Sequence, residues 1–229
     1  MFSIFKRKPS PPLRPPDNIR DTLFGDMPLE AWPSVSAALT EQEPWCFFIH
    51  AREAIAAGRV ADAIPIWRLI TEMAGLESRH YLQAWHFLRA HGVKPSTVKA
   101  KVLLGVVVEV AMYGGLDLLA AYPEYTARYY NYSGSGVVWD RPNNTLDSYI
   151  NALLLGGEKV LQAIGPWEQQ RPPAPPPGHL RINLLAPAGL HFGQGLFQAF
   201  AADAMAKPVV DAATTLMQQL VARGAPPKS

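Results

Sequence analysis

The chain has 229 residues, of which 48% are hydrophobic and 17% are charged, and its formal net charge at neutral pH is +2. This apolar content excludes a largely disordered chain, and the single cysteine excludes an intramolecular disulfide framework or a cysteine-rich metal site. A net charge of +2 is too small to indicate a nucleic-acid partner by itself. We therefore expect a soluble globular protein and place it in the cytoplasm.

Residues 1–20 are predicted to form a disordered tail. The segment is rich in proline, and five basic residues against one acidic residue give it a net charge of +4. Such a stretch favours extended polyproline II structure and has no apolar face to bury. Its apolar residues precede the basic ones, which is the reverse of a secretory signal, and no later stretch approaches the roughly 20 apolar residues that span a bilayer. We expect the tail to be dispensable for folding, and we expect no stable membrane insertion.

Residues 21–96 are predicted to form a helical subdomain. Apolar residues recur at helical spacing over about 44–57, 61–74 and 78–91. Glycine or proline follows each of these segments or stands at its start, as is typical of helix boundaries.

Residues 97–223 are predicted to form an α+β domain. The chain order is four short strands, a helix, a hairpin and a last helix, at about 101–112, 116–122, 126–132, 137–140, 146–164, 180–192 and 208–222. Strand runs that are interrupted by helices, without regular alternation, indicate an antiparallel sheet with helices on one face. The predicted fold is therefore α+β, with a helical N-terminal subdomain beside an antiparallel sheet of about six strands that two helices cover.

The predicted helical subdomain carries a short motif. The spacing of Ala54, Gly58, Ala63, Ile64 and Trp67 resembles the middle of a tetratricopeptide-type helical hairpin. Because solenoids need about three repeats and only one is visible, this resemblance implies a single local hairpin and no array.

A second resemblance covers most of residues 100–220. The sequences at 128–134, 165–167 and 189–193 resemble those of uncharacterised bacterial proteins. The resemblance implies a bacterial protein and attaches no function to it.

Motifs for catalysis, nucleotide binding and metal binding do not occur. Residues 133–136 lack the first glycine of a nucleophile elbow, and residues 193–195 lack the third glycine of a dinucleotide loop. His80, His86 and His91 lie on one predicted helix, but none are three or four residues apart, as ligands on one helical face must be. We therefore predict no catalytic residue, no metal and no cofactor, and we leave the question of enzymatic activity open.

Cys46 and His50 are the one nucleophile–base pair at helical spacing. A thiolate mechanism would need the histidine within hydrogen-bond reach and a third group to orient it. Cys46 lies among tryptophan and phenylalanine residues, where a buried and inert cysteine is the ordinary case. We interpret it as structural.

Basic residues predominate in the middle of the chain. Five lysines and arginines, and no acidic residue, occur between Ser78 and Val108: Arg79, Arg89, Lys94, Lys99 and Lys101. This run indicates a basic surface that can meet an acidic partner. We expect no nucleic acid, because the body of the chain is slightly acidic once the tail is set aside and no nucleic-acid motif is present.

Four residues are predicted to form a binding surface: Arg128, Tyr130, Tyr132 and His191. Tyr130 and Tyr132 share one face of a predicted strand, and glycines near His191 allow the backbone to approach a ligand. Tyrosine and arginine are enriched in binding hot spots.

The absence of catalytic motifs predicts a non-catalytic bacterial factor that works by contact with another protein, as an immunity, accessory or adaptor protein. The alternative is a small-molecule-binding or hydrolytic enzyme with a site near His191. An enzyme should show a deep pocket with convergent polar groups, and a protein-binding factor a broad exposed apolar patch.

Overall fold

The computed structural model describes residues 17–33, 36 and 39–224, so most of the predicted tail lies outside it. Its helices are α1 (Asp17–Phe24), α2 (Trp45–Ala56), α3 (Val60–Glu72), α4 (Ser78–Ala90), α5 (Thr97–Ala100), α6 (Asp147–Ala163), α7 (Phe197–Ala202) and α8 (Lys207–Gly224), with one 3-10 turn at Leu29–Ala31. Its strands are β1 (Gly105–Met112), β2 (Gly115–Ala121), β3 (Ala127–Tyr130), β4 (Gly136–Trp139), β5 (His179–Ala186) and β6 (Gly189–Leu196).

The six strands form one antiparallel sheet in the order β4-β3-β2-β1-β5-β6. The first four strands are a meander, and the β5–β6 hairpin joins it by pairing β5 with β1. Val106 therefore lies between Ala121 and Leu184 on the two neighbouring strands. The predicted α+β class, with an antiparallel sheet of about six strands, is confirmed.

One face of the sheet is covered by α6 and α8. Alternate strand residues such as Val106, Val108 and Leu184 point to this face, where they form a buried cluster with apolar residues of the two helices. Gly157 permits the close approach of α6, because a Cβ atom there would lie 2.5 Å from Cγ2 of Val106.

The other face of the sheet meets the N-terminal helices. Leu23 of α1 and Leu82 of α4 are buried against Val107 and Leu118 of the sheet. Helices α2, α3 and α4 also enclose an aromatic core of their own around Trp67. The three predicted helices of this region are confirmed, with boundaries within two residues of those expected.

The predicted tail boundary at residue 20 is wrong for residues 17–20, which are helical. Arg20 is buried and bonds to Glu109, a residue far away in the chain, and this contact attaches α1 to the sheet. Helix α7 was not predicted either. No helix in the described ranges combines the length and apolar content needed to cross a membrane.

Candidate functional site

A cleft of about 780 Å³ lies at the end of the sheet where β5 turns into β6. Its walls are the C-terminal half of α4 with the loop that follows, the β5–β6 turn, and the connection after α6. Its charged and aromatic lining residues are Phe24, Asp26, His86, Arg89, Lys94, Trp167, Glu168 and Arg171. This volume is in the usual range for small-ligand sites, about 300–1,000 Å³.

One wall of the cleft is an extended segment that follows Gly165 and Pro166. The backbone N–H of Trp167 donates to the carbonyl of Leu190 at 2.6 Å, which attaches the segment to the outer edge of β6. The indole ring packs against Phe192 with ring centroids 5.2 Å apart, and its N–H donates to the carbonyl of Gln170. These contacts give an exposed connection a defined position beside the cleft.

Arg171 is a neutralised cation of this site. Its guanidinium donates to Asp21 and Asp26 and lies 4.6 Å from the centroid of the Phe24 ring. Burial raises the pKa of Asp26, and the opposing charge of Arg171 only partly offsets that effect. The arrangement joins the proline-rich connection between α6 and β5 (residues 171–178) to α1.

Arg89 differs from Arg171 in its partners. Its guanidinium donates to the carbonyl of Pro187 at 2.8 Å, and no carboxylate of the described chain bonds to it. Burial lowers the pKa of Arg89 to about 10, and the charge of Asp26 opposes this shift. Arg89 is thus a positive charge at neutral pH that the protein itself does not fully compensate.

His86 is a neutral member of the lining at neutral pH. Burial, together with the positive charges of Arg89 and Arg171, lowers its pKa to about 4. It therefore adds a polar ring to the cleft and no charge.

Arg128 and Tyr130 lie together at a separate groove of about 200 Å³ between β3, α1 and the start of α4. Arg128 donates to the carbonyls of Ala127 and Trp139 and forms an ion pair with Asp140. The structure thus brings two of the four predicted binding residues into one groove.

Tyr132 lies just beyond the end of β3 and is 48% exposed. Its backbone N–H donates to Asp117, which also accepts from the hydroxyl of Tyr129 on the opposite face of the strand. The tyrosine side chain is therefore presented to solvent by a backbone that is held in place.

His191 is not part of that surface. It is fully buried on the face of the sheet opposite Arg128 and Tyr130, and three strands, β2, β1 and β5, lie between its strand and theirs. Its Nδ1 lies 3.1 Å from the carbonyl of Gly189, its Nε2 has no hydrogen-bond partner among the described residues, and burial lowers its pKa. His191 lines neither of the two cavities, so the expectation that it contributes to an exposed surface is corrected.

Large apolar side chains are exposed at the end of the sheet far from the cleft. We call this set the sheet-end patch: Met112, Tyr113, Tyr132, Leu196 and Phe197. Met112 at the end of β1 pairs with Gly115 at the start of β2. On the other side of β2, Tyr132 follows β3 and is close to Gly115, since a Cβ atom there would lie 3.0 Å from Cβ of Tyr132. Leu196 pairs with the first residue of β5, which places the last two members at the same end of the sheet.

The sequence offered two other candidates, the Cys46–His50 pair and a metal site. Cys46 is a half-buried free thiol of α2, and no hydrogen bond joins it to the exposed His50. Within the part of the chain that the structure describes, no group of three or more histidine, cysteine or acidic residues is placed to hold a metal ion.

A buried ionic cluster beside the cleft was missed by sequence analysis. Glu109 of β1 is fully buried and accepts hydrogen bonds from Arg20, Arg181 and Asn183. Arg181 also donates to the carbonyl of Pro173, so the cluster attaches both α1 and the proline-rich connection to the sheet. In the sequence, the one indication of this cluster was the position of Glu109, an acidic residue within a run of valines.

Comparison of the chain with protein-family models, with curated proteins and with solved structures finds no match in any of the three.

Proposed function

We propose that this chain is a non-catalytic protein-binding factor and that the sheet-end patch is its contact surface. The observation that carries the proposal is the exposure of five large apolar side chains at one end of a single sheet. Monomeric soluble proteins rarely expose large contiguous apolar patches, and such patches mark sites of protein contact.

Tyr113 is the clearest member of the patch. It lies at the tip of the β1–β2 hairpin and is 97% exposed, so its ring contributes almost nothing to the core. A tyrosine supplies a large rigid contact area with a polar tip, which is why tyrosine is enriched in the residues that dominate binding energy. A partner that covers Tyr113 and Tyr132 would bury both rings.

The groove that contains Arg128 and Tyr130 runs from Tyr130 away from this surface, toward the β2–β3 turn. Tyr130 belongs to the same strand that leads to Tyr132, and its ring lies against Gly136 of the edge strand β4. Arg128 and Asp140 form an ion pair near the other end of β3, because Asp140 follows Trp139, which pairs with Ala127. The proposed contact surface therefore has its apolar centre at the sheet-end patch, and Tyr130 connects it to the groove.

The test is affinity purification of the full chain from the cells that naturally produce it, followed by a binding titration with the recovered partner. Tyr113→Ser combined with Tyr132→Ala is compared with Leu155→Ser, which changes an exposed leucine of α6 outside the patch. Loss of a hot-spot aromatic should weaken binding by about 2 kcal/mol, or roughly thirtyfold.

The proposal requires that the patch variant lose the partner, that Leu155→Ser retain it, and that both variants melt close to the parent chain. Equal binding by the two variants would refute it. A large fall in the melting temperature of Tyr132→Ala alone would also refute it, because the tyrosine would then belong to the core.

A further inference from the structure

The five basic residues between Ser78 and Val108 differ in the partners that the fold gives them. Arg79 forms an ion pair with Glu77, Lys99 forms one with Glu72, and Lys101 donates to the carbonyl of Gln162. The remaining two, Arg89 and Lys94, both line the cleft at the β5–β6 turn. The fold thus pairs Arg79 and Lys99 with carboxylates and brings Arg89 and Lys94 to one cavity.

Arg89 is placed to receive an anion. One nitrogen of its guanidinium donates to the Pro187 carbonyl, which fixes the group beside the β5–β6 turn. A Cβ atom at Gly189 would lie 3.7 Å from Nε of Arg89, so this glycine leaves the approach to the guanidinium without a side chain. A guanidinium is a planar set of donors that matches the oxygens of a carboxylate or a phosphate.

The rest of the cleft is largely apolar. Leu82, Val93, Leu185 and Leu190 contribute to its walls, and Trp167 supplies a half-exposed indole ring held against Phe192. A ligand that satisfied Arg89 alone would leave this surface in contact with water. A ligand with an apolar or flat group beside its anionic group would cover both.

The geometry points to a binding site for a small organic anion, in which a carboxylate or phosphate group binds Arg89 and Lys94 and an attached aromatic or aliphatic group packs against Trp167. The site lies at the opposite end of the sheet from the sheet-end patch, so it does not depend on the proposed protein contact.

The charges around the cleft limit the size of the ligand. Asp26 lines it but is bonded to Arg171, and Glu168 lies on the exposed wall. Arg89 and Lys94, neither of which forms an ion pair with a carboxylate of the described chain, suit one anionic group, whereas a nucleic-acid strand places several phosphates on a protein and needs a matching number of cations. The class of ligand is therefore a compact anion with one charged end.

The test titrates the full chain with three probes that differ only in their polar group: 1-naphthoate, 1-naphthyl phosphate and the neutral 1-naphthylmethanol. Binding is followed by the indole N–H resonance of Trp167, which is assigned with Trp167→Phe. Hydrogen bonds to a charged group contribute about 1.5–3 kcal/mol, so the better of the two anions should bind at least about tenfold more tightly than the alcohol. The two anionic probes distinguish a carboxylate site from a phosphate site.

Arg89→Gln should remove that tenfold preference, and Lys94→Gln should reduce it. Because Lys94 is exposed, its substitution cannot impair folding even if Arg89→Gln does. Lys99→Gln is the control, since that lysine is already paired with Glu72. Equal binding of the alcohol, no response of Trp167 to either anion at millimolar concentration, or unchanged affinity in Lys94→Gln and a folded Arg89→Gln would each overturn the inference.

Discussion

Replacing Arg20 by methionine should destabilise this protein more than any change at a surface ion pair. Nε and Nη2 of Arg20 lie 2.9 and 2.8 Å from one oxygen of the fully buried Glu109, and that oxygen has no other hydrogen-bond donor in the described chain. The other oxygen keeps Arg181 and Asn183. Arg20→Met therefore leaves half of a buried carboxylate unpaired.

Removing one partner of a buried ion pair costs about 3–5 kcal/mol, and we expect the lower end because Glu109 retains Arg181. For a chain of this length, about 3 kcal/mol corresponds to a fall in melting temperature of roughly 6–12 °C. Urea unfolding should give the free energy directly, with an unchanged dependence on denaturant.

Arg59→Met is the matched control. Arg59, the residue just before α3, forms an exposed pair with Asp62 in the first turn of that helix, and exposed pairs contribute about 0.2–1 kcal/mol. A chain that begins at Asp21 lacks Arg20 and should lose at least as much stability as Arg20→Met. If Arg20→Met and Arg59→Met cost the same, the buried cluster would not attach α1 as described.

Three further predictions concern other parts of the fold. Burial, together with the charge of Arg79, lowers the pKa of the buried His80 to about 4, so at acidic pH the unfolded chain binds a proton that the folded chain does not. The free energy of unfolding should therefore fall by up to about 3 kcal/mol as the pH drops from about 6.5 to 4. In urea titrations, His80→Phe should flatten this pH dependence, whereas a substitution at an exposed histidine, His50→Gln, should not. Gly157→Ala should cost about 1–3 kcal/mol because its methyl group would meet Val106, whereas Gly165→Ala, with open space around it, should melt like the parent chain. Cys46→Ala should cost on the order of 1 kcal/mol and leave partner binding unchanged; a folded variant that no longer binds would restore the thiolate hypothesis.

The predicted elements that the structure confirms are those specified by local patterns. The helices α2, α3 and α4 follow from apolar residues at a spacing of three and four, and the β1–β4 meander follows from short β-branched and aromatic runs between turn residues. Neither pattern depends on residues far away in the chain. Sequence analysis therefore located these elements to within a few residues.

Helix α1 and the cleft depend on contacts between distant segments. The helix is attached by Arg20 to Glu109 and by Asp21 to Arg171, residues that lie roughly 90 and 150 positions away. The cleft likewise combines Asp26, Arg89 and Trp167 from three separate regions. No window of sequence contains these pairs, and the proline-rich composition of the first residues favoured a tail.

His191 shows how a local signal can be misread. Glycines in alternation with other residues suggested that the backbone lets a ligand approach, but in the structure Gly193 and Gly195 lie under the ring of Phe200. A Cβ atom at Gly195 would lie 3.2 Å from that ring, so the glycines serve the packing of α7. Because α7 was not predicted, the neighbour that explains these glycines was absent from the sequence argument. A glycine indicates that something comes close to the backbone, and only the fold identifies whether that is a ligand or another part of the chain.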